Sequence, residues 1–172
     1  MNLQLNGALM QTQILVPNGT IARVRVQIKR GNYNDPTLGL TGGWATRNPK
    51  TGVIYLNCVA TLLEGDHKQR KAFFRVGLYS PKTQKYAEQG MRLLRAILES
   101  SHGFFPADQS EQAVKIRNEC NLSDFDGIEF VARIEVEEEN PPYPAKNTIN
   151  FAITPDDSRY LGNSQTSNAQ KS

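Results

Sequence analysis

Residues 53–79 read VIYLNCVATLLEGDHKQRKAFFRVGLY, and the fold turns on how this stretch divides. Over 53–64, Ile54, Leu56, Cys58, Ala60 and Leu62 share one face, with Tyr55, Asn57 and Thr61 opposite. That period of two is the mark of a half-buried strand. Gly65-Asp66-His67-Lys68 then reads as a hairpin connection. Over 70–79 the chain returns, with Ala72, Phe74, Val76 and Leu78 pointing one way and Lys71, Phe73, Arg75 and Tyr79 the other.

The same alternation precedes this hairpin. Residues 14–30 read ILVPNGTIARVRVQIKR, with a turn signal at Pro17-Asn18-Gly19. Beyond it Ala22, Val24, Val26 and Ile28 face one side and Arg23, Arg25, Gln27 and Lys29 the other. Between the two lies GNYNDPTLGLTGGWATRNPKTG (31–52), whose Gly, Asn, Pro and Thr predict a long loop carrying Tyr33 and Trp44.

Downstream, Ser80-Pro81 opens a helix signal over 82–101, with Tyr86, Met91, Leu94, Ile97 and Leu98 at helical spacing, and His102-Gly103 ends it. A shorter helix is predicted over 109–119 with Ala113, Val114 and Ile116 inward. After a turn at 124–127, residues 128–137 form a fourth strand with Ile128, Phe130, Ala132, Ile134 and Val136 on one face. Residues 147–154 form a fifth, with Ile149, Phe151 and Ile153 inward. This order predicts a mostly β (α+β) fold: a five-stranded OB-like barrel or curved antiparallel sheet with a helix after strand three. One domain is expected over residues 1–161, with a disordered polar tail over 162–172.

Hydrophobic residues make up 38% of the 172 and charged residues 22%, enough for one core and a soluble surface. No window approaches the ~18 apolar residues of a membrane span, and the N-terminus lacks the pattern of a signal peptide. A cytoplasmic protein with no membrane contact is expected. Cys58 and Cys120 stand in no paired motif and read as reduced thiols. The net charge of +3 is unevenly placed. Residues 1–95 hold 14 Lys and Arg against 4 Asp and Glu, and residues 96–172 hold 6 against 13. Such a split marks a polyanion-binding half, unless the two halves neutralise each other when folded.

The outward face of the first three predicted strands offers Arg23, Arg25, Lys29, Tyr55, Lys71, Phe73, Arg75 and Tyr79. Single-stranded nucleic acid needs this pairing of cations for phosphates with flat rings for bases. Helices laid over the face would instead make Phe73 a core residue. Trp44, with Tyr33 and Arg47, reads either as a clamp on bases or as a plug for the barrel end. Catalytic patterns are weaker. His67 sits in the hairpin turn and His102 at a helix end, and there is no HExxH, phosphate loop or nucleophile elbow. Asp124, Asp126 and Glu129 form one compact carboxylate cluster, which a metal-dependent nuclease would use and which a turn entering a strand explains more simply. No cofactor and no metal are expected.

Four segments resemble a family of phage and mobile-element proteins regarded as single-stranded DNA-binding-like. They are LLEGDHKQRKAFFRVGL (62–78), KYAEQGMRLLRAILESSHGF (85–104), LSDFDGIEFVARIEVEEE (122–139) and KNTINFAITPD (146–156). The family's Gly-to-Arg-Lys hairpin falls on Gly65, Arg70 and Lys71, and its helix core on Arg95, Ala96 and Ile97. Its closing strands fall on Phe125, Gly127, Phe130, Ala132 and Ile134, and on Asn147 and Ile149. The resemblance, over residues 53–156, implies an OB-like fold and single-stranded DNA binding in replication or recombination. The chain departs from bacterial single-stranded DNA-binding proteins in its final residues, Asn168-Ala169-Gln170-Lys171-Ser172, which are not acidic.

The expectation is therefore a non-catalytic single-stranded DNA-binding protein. Arg23, Arg25, Lys29, Lys71 and Arg75 would neutralise phosphates, and Trp44, Tyr55, Phe73 and Tyr79 would stack bases. The rival is a structural or protein-interaction module of a phage-like element, its basic face meeting an acidic protein or the acidic half of a second copy as a homo-oligomer. Nothing in the sequence separates DNA from RNA.

Overall fold

The computed structural model describes residues 2–7 and 14–160, so the tail predicted over 162–172 lies outside the described residues. The strands are β1 (Thr20–Lys29), β2 (Tyr33–Asp35), β3 (Leu40–Arg47), β4 (Ile54–Leu62), β5 (Lys71–Tyr79), β6 (Glu129–Glu137) and β7 (Lys146–Ala152). Two helices, α1 (Lys85–His102) and α2 (Glu111–Glu119), lie between β5 and β6. No described helix is long and apolar enough to cross a membrane.

All strand pairs are antiparallel, and the sheet curls into a half-barrel. β1 is paired on both edges, with β4 (Val24 opposite Leu62) and with β6 (Ala22 opposite Ala132). β4 carries β5 on its other edge, and β6 carries β7. β5 and β7 approach each other across the open side, with Cα atoms within 8 Å. The inward residues of β1, Ala22, Val24, Val26 and Ile28, meet Leu56, Leu62, Phe74, Phe130 and Ile134 in the main core. Helix α1 covers one end of the curl, against β5, β6 and β7.

Five predicted strands stand where expected. The stretch over 31–52 is a correction: it is not a plain loop but holds β2 and β3, so α1 follows the fifth strand in chain order. Its glycines give weak strand propensity, and the hairpin forms through polar groups instead. Asn32 N–H donates to Gly43 O at 3.0 Å, and Asn34 Oδ1 accepts from Gly43 N–H at 2.8 Å. Gly42 and Gly43 adopt φ of 82° and 71°, which favour glycine. β3 then joins β4 through only two register pairs, Thr46 with Tyr55 and Arg47 with Ile54.

Three further corrections arise from backbone geometry. Phe151, expected inward, is 56% exposed. Ile149 pairs with Ile134 while Phe151 pairs with Arg133, so Asn150 is an extra residue in β7. That bulge shifts the alternation and turns Phe151 to the outer face. Met91, expected inward on the helix, is 52% exposed. The buried stripe of α1 is Gly90, Leu94, Ile97 and Leu98, because the helix crosses β5 backbone to backbone at Gly90. A Cβ on Gly90 would stand 1.7 Å from Gly77 O. The helix also starts later than Ser80-Pro81, at Lys85, after a turn in which Ser80 Oγ accepts from Lys82 N–H at 3.2 Å.

Buried polar groups fasten the periphery. Glu99 accepts from Arg95 Nε at 3.1 Å and Arg117 Nε at 2.8 Å, tying α1 to α2. Arg117 also donates to Asp108 O and Phe105 O, at 2.6 and 3.1 Å. Asn147 accepts from Val16 N–H at 2.9 Å and donates to Val16 O at 2.8 Å, so its amide acts as a strand edge for the N-terminal segment. On the outer face of β6, Val131, Ile153 and Tyr160 form a second small core with Ile21. Tyr160 donates to Ser100 O at 2.6 Å, which seats residues 153–160 over that end of the face.

Two substitutions test this packing. Gly90→Ala is expected to lose about 3 kcal/mol in chemical denaturation, at the upper end of overpacking costs; an unchanged midpoint would mean α1 stands further from β5. Glu99→Ala strands the Arg117 charge and is expected to lose about 3–5 kcal/mol by the same measurement.

Candidate nucleic-acid interface

Register pairs arrange the outer face of β1, β4 and β5 in rows. Arg25, Thr61 and Lys71 form one row; Gln27, Val59 and Phe73 the next; Lys29, Asn57 and Arg75 the third. Strands lie ~4.8 Å apart, so four cations flank a row that carries one ring. Phe73 is 37% exposed, and no helix covers it. Lys29 Nζ lies 5.8 Å from its ring centroid.

Beside this face runs a groove of about 770 Å³, between β5 and the 138–146 connection. Lys71, Phe73, Arg75, Tyr143 and Lys146 line it, with Glu137 at its rim paired to Lys146 at 3.6 Å. Tyr143 is 71% exposed and stands on a turn closed by reciprocal backbone hydrogen bonds with Asn140, at 2.9 and 2.8 Å. No alternation or helical spacing in the sequence singles Tyr143 out. The available signal was an aromatic residue set in a run of prolines, Pro141-Pro142-Tyr143-Pro144.

The other expected site residues are dispersed. Tyr55 does not join the open face: it is 9% exposed, with the Arg75 guanidinium 4.4 Å from its ring centroid. Burial raises the pKa of the neighbouring Tyr86 hydroxyl, and the Arg75 charge opposes that rise. Arg25 is held by Glu129, with Nη2 2.7 Å and Nε 3.1 Å from one carboxylate oxygen. Arg23 is half-buried at the far end, where its charge acts on the buried Tyr160 hydroxyl. Tyr79 lies beyond Arg75 in a recess with Tyr33, Arg47 and Lys50. Trp44 is in neither place. It packs on the main core under Arg30, 4.1 Å from the ring, and lines a cleft of about 660 Å³ toward α1 and Phe125. Lys29, Lys71, Phe73 and Arg75 are thus the expected residues that the fold gathers with an open ring.

The three carboxylates each have a structural partner. Asp124 accepts from Asn121 N–H at 2.8 Å, Asp126 accepts from Ile28 N–H at 2.9 Å, and Glu129 holds Arg25. Among the described residues no group of three or more His, Cys, Asp and Glu is placed to hold a metal. His102 stacks on Phe104, with centroids 5.6 Å apart. Burial pushes the Cys58 thiol up to about 12, and burial also raises Cys120.

No protein-family model matches the chain, and no curated protein matches it.

A thiol this far above neutrality stays protonated and unreactive. In native protein near pH 8, an alkylating reagent is expected to label Cys120, with Cys58 labelled only on unfolding. Equal labelling of both, read by peptide mass, would contradict this burial.

Proposed function

We propose that the chain is a non-catalytic single-stranded DNA-binding protein of a phage or mobile-element replication or recombination system. In this reading the half-barrel is an OB-like barrel. Support comes from the strand order β5–β4–β1–β6–β7, with a helix between β5 and β6. OB barrels bind oligonucleotides on the face of their second and third strands and the flanking loops. Those strands correspond to β4 and β5, and the loops to residues 30–53 and 138–145.

The observation that carries the reading is Phe73, a large apolar ring left open on a sheet face between Lys71 and Arg75. Phe73 and Tyr143 would stack bases across the groove. Lys29, Lys71, Arg75 and Lys146 would meet phosphates. Stacking contributes about 1–3 kcal/mol per base and tolerates any sequence, so binding without strong sequence preference is expected.

Fluorescence anisotropy with labelled oligo-dT and a matched duplex, at two salt concentrations, tests this. Tighter, salt-dependent binding of the single strand is expected, and failure to bind either at low salt would end the reading. Phe73→Ala is expected to weaken binding by about 1–3 kcal/mol, and Arg75→Glu to weaken it and flatten the salt dependence. Glu129→Gln frees Arg25 from an exposed ion pair that adds at most about 1 kcal/mol to stability. It is expected to tighten binding and steepen the salt slope by about 0.7.

A further inference from the structure

A second groove, of about 450 Å³, opens between α1 and β7. Its walls include Arg75, Tyr86, Arg92 and Phe151. Arg75 also lines the groove beside Phe73, so the two recesses share that residue. No carboxylate is among the described residues lining this second groove, whereas the first carries Glu137 and Glu138.

Three independent features make this groove. The close crossing at Gly77 and Gly90 sets α1 against β5 and forms its floor. The bulge at Asn150 turns Phe151, an apolar ring, out of the core. Arg92 stands exposed on α1, and no ion pair involving it is found among the described residues. A solvated surface has no need of a bulge that exposes a phenyl ring beside two guanidinium groups. A chain of bases and phosphates matches that combination: a flat apolar face for a base, and cations spaced along one side for the backbone.

We propose that a bound single strand turns at Arg75 and continues between α1 and β7, with Phe151 as a further stacking platform and Arg92 as its phosphate contact. This rests on the single-strand reading above and extends its footprint from one sheet face to the gap between β5 and β7. Short oligonucleotides would fill the Phe73 groove alone, and longer ones both grooves.

The test compares oligo-dT in steps from about 4 to about 16 nucleotides, the range one such domain covers, against wild type, Phe73→Ala, Phe151→Ala, Phe151→Leu and Arg92→Gln. In the Phe151 variants the affinity gained by lengthening the oligonucleotide is expected to fall about tenfold. Phe151→Leu keeps apolar bulk and loses the flat ring, so its matching loss separates stacking from folding. Arg92→Gln is expected to lower the salt dependence for long oligonucleotides. Loss of binding in Phe73→Ala with an unchanged length gain in both Phe151 variants would overturn the extension and leave the first groove standing. Absence of binding by wild type at any length would overturn both together.

Discussion

The fold depends on β1 having both edges occupied. A strand in the middle of a curled sheet must place every backbone N–H and C=O, and an unpaired buried one costs as much as a lost hydrogen bond. The β1 strand meets this with β4 on one side and β6 on the other. Val26 shows the consequence: its N–H donates to Ile128 O at 2.9 Å, and its C=O accepts from Gly127 N–H at 2.7 Å. Just before β6 begins, the Asp126 side chain takes the next β1 donor, Ile28 N–H. One member of the carboxylate cluster at Asp124, Asp126 and Glu129 is therefore a rung of the ladder. With β1 satisfied on both edges, its inward side is apolar from Ala22 to Ile28. Its outward side is left for Arg25, Gln27 and Lys29.

The same economy governs the polar residues that are buried. Glu99, Ser100 and Asn147 lie inside, and each completes backbone or guanidinium groups that the sheet does not reach. Ser100 Oγ accepts from Val131 N–H at 3.0 Å and its carbonyl accepts from Tyr160, so one residue of α1 holds both β6 and the chain that follows β7. Glu99 does the same between the helices. Burial of a paired charge contributes little net stability, but it fixes geometry.

Much of this was legible from local periodicity. The apolar faces of β1, β4, β5 and β6 follow from strict alternation, because side chains on a strand alternate faces without exception until a bulge intervenes. What escaped were features set by partners distant in sequence. The β2–β3 hairpin has little strand propensity and exists through Asn32 and Asn34. Met91 sits at a helical spacing that fits the core, yet the stripe is displaced because Gly90 brings α1 close to Gly77. Tyr55 alternates outward as expected and is still covered, by Arg75 from the next strand and Tyr86 from the helix. The ring at Phe73 and its flanking cations were read correctly as a face, since they need only pairing of adjacent strands. Trp44 and Tyr79 needed the curvature of the whole sheet, which no local pattern encodes.

The bulges in β5 and β7 act on counting rather than on chemistry. In β5, Tyr79 pairs with Ile54 and Gly77 with Tyr55, so Leu78 is an extra residue, as Asn150 is in β7. Each is a slip of one tooth in a zipper. The cross-strand partner, not the residue count, decides which face a side chain takes at those points. A change of side chain at Asn150 would leave Phe151 facing out. Removing Asn150 would let Ile149 opposite Ile134 run straight into Phe151 opposite Arg133, so the phenyl ring would still face out and the strand would lose only the local kink of the bulge.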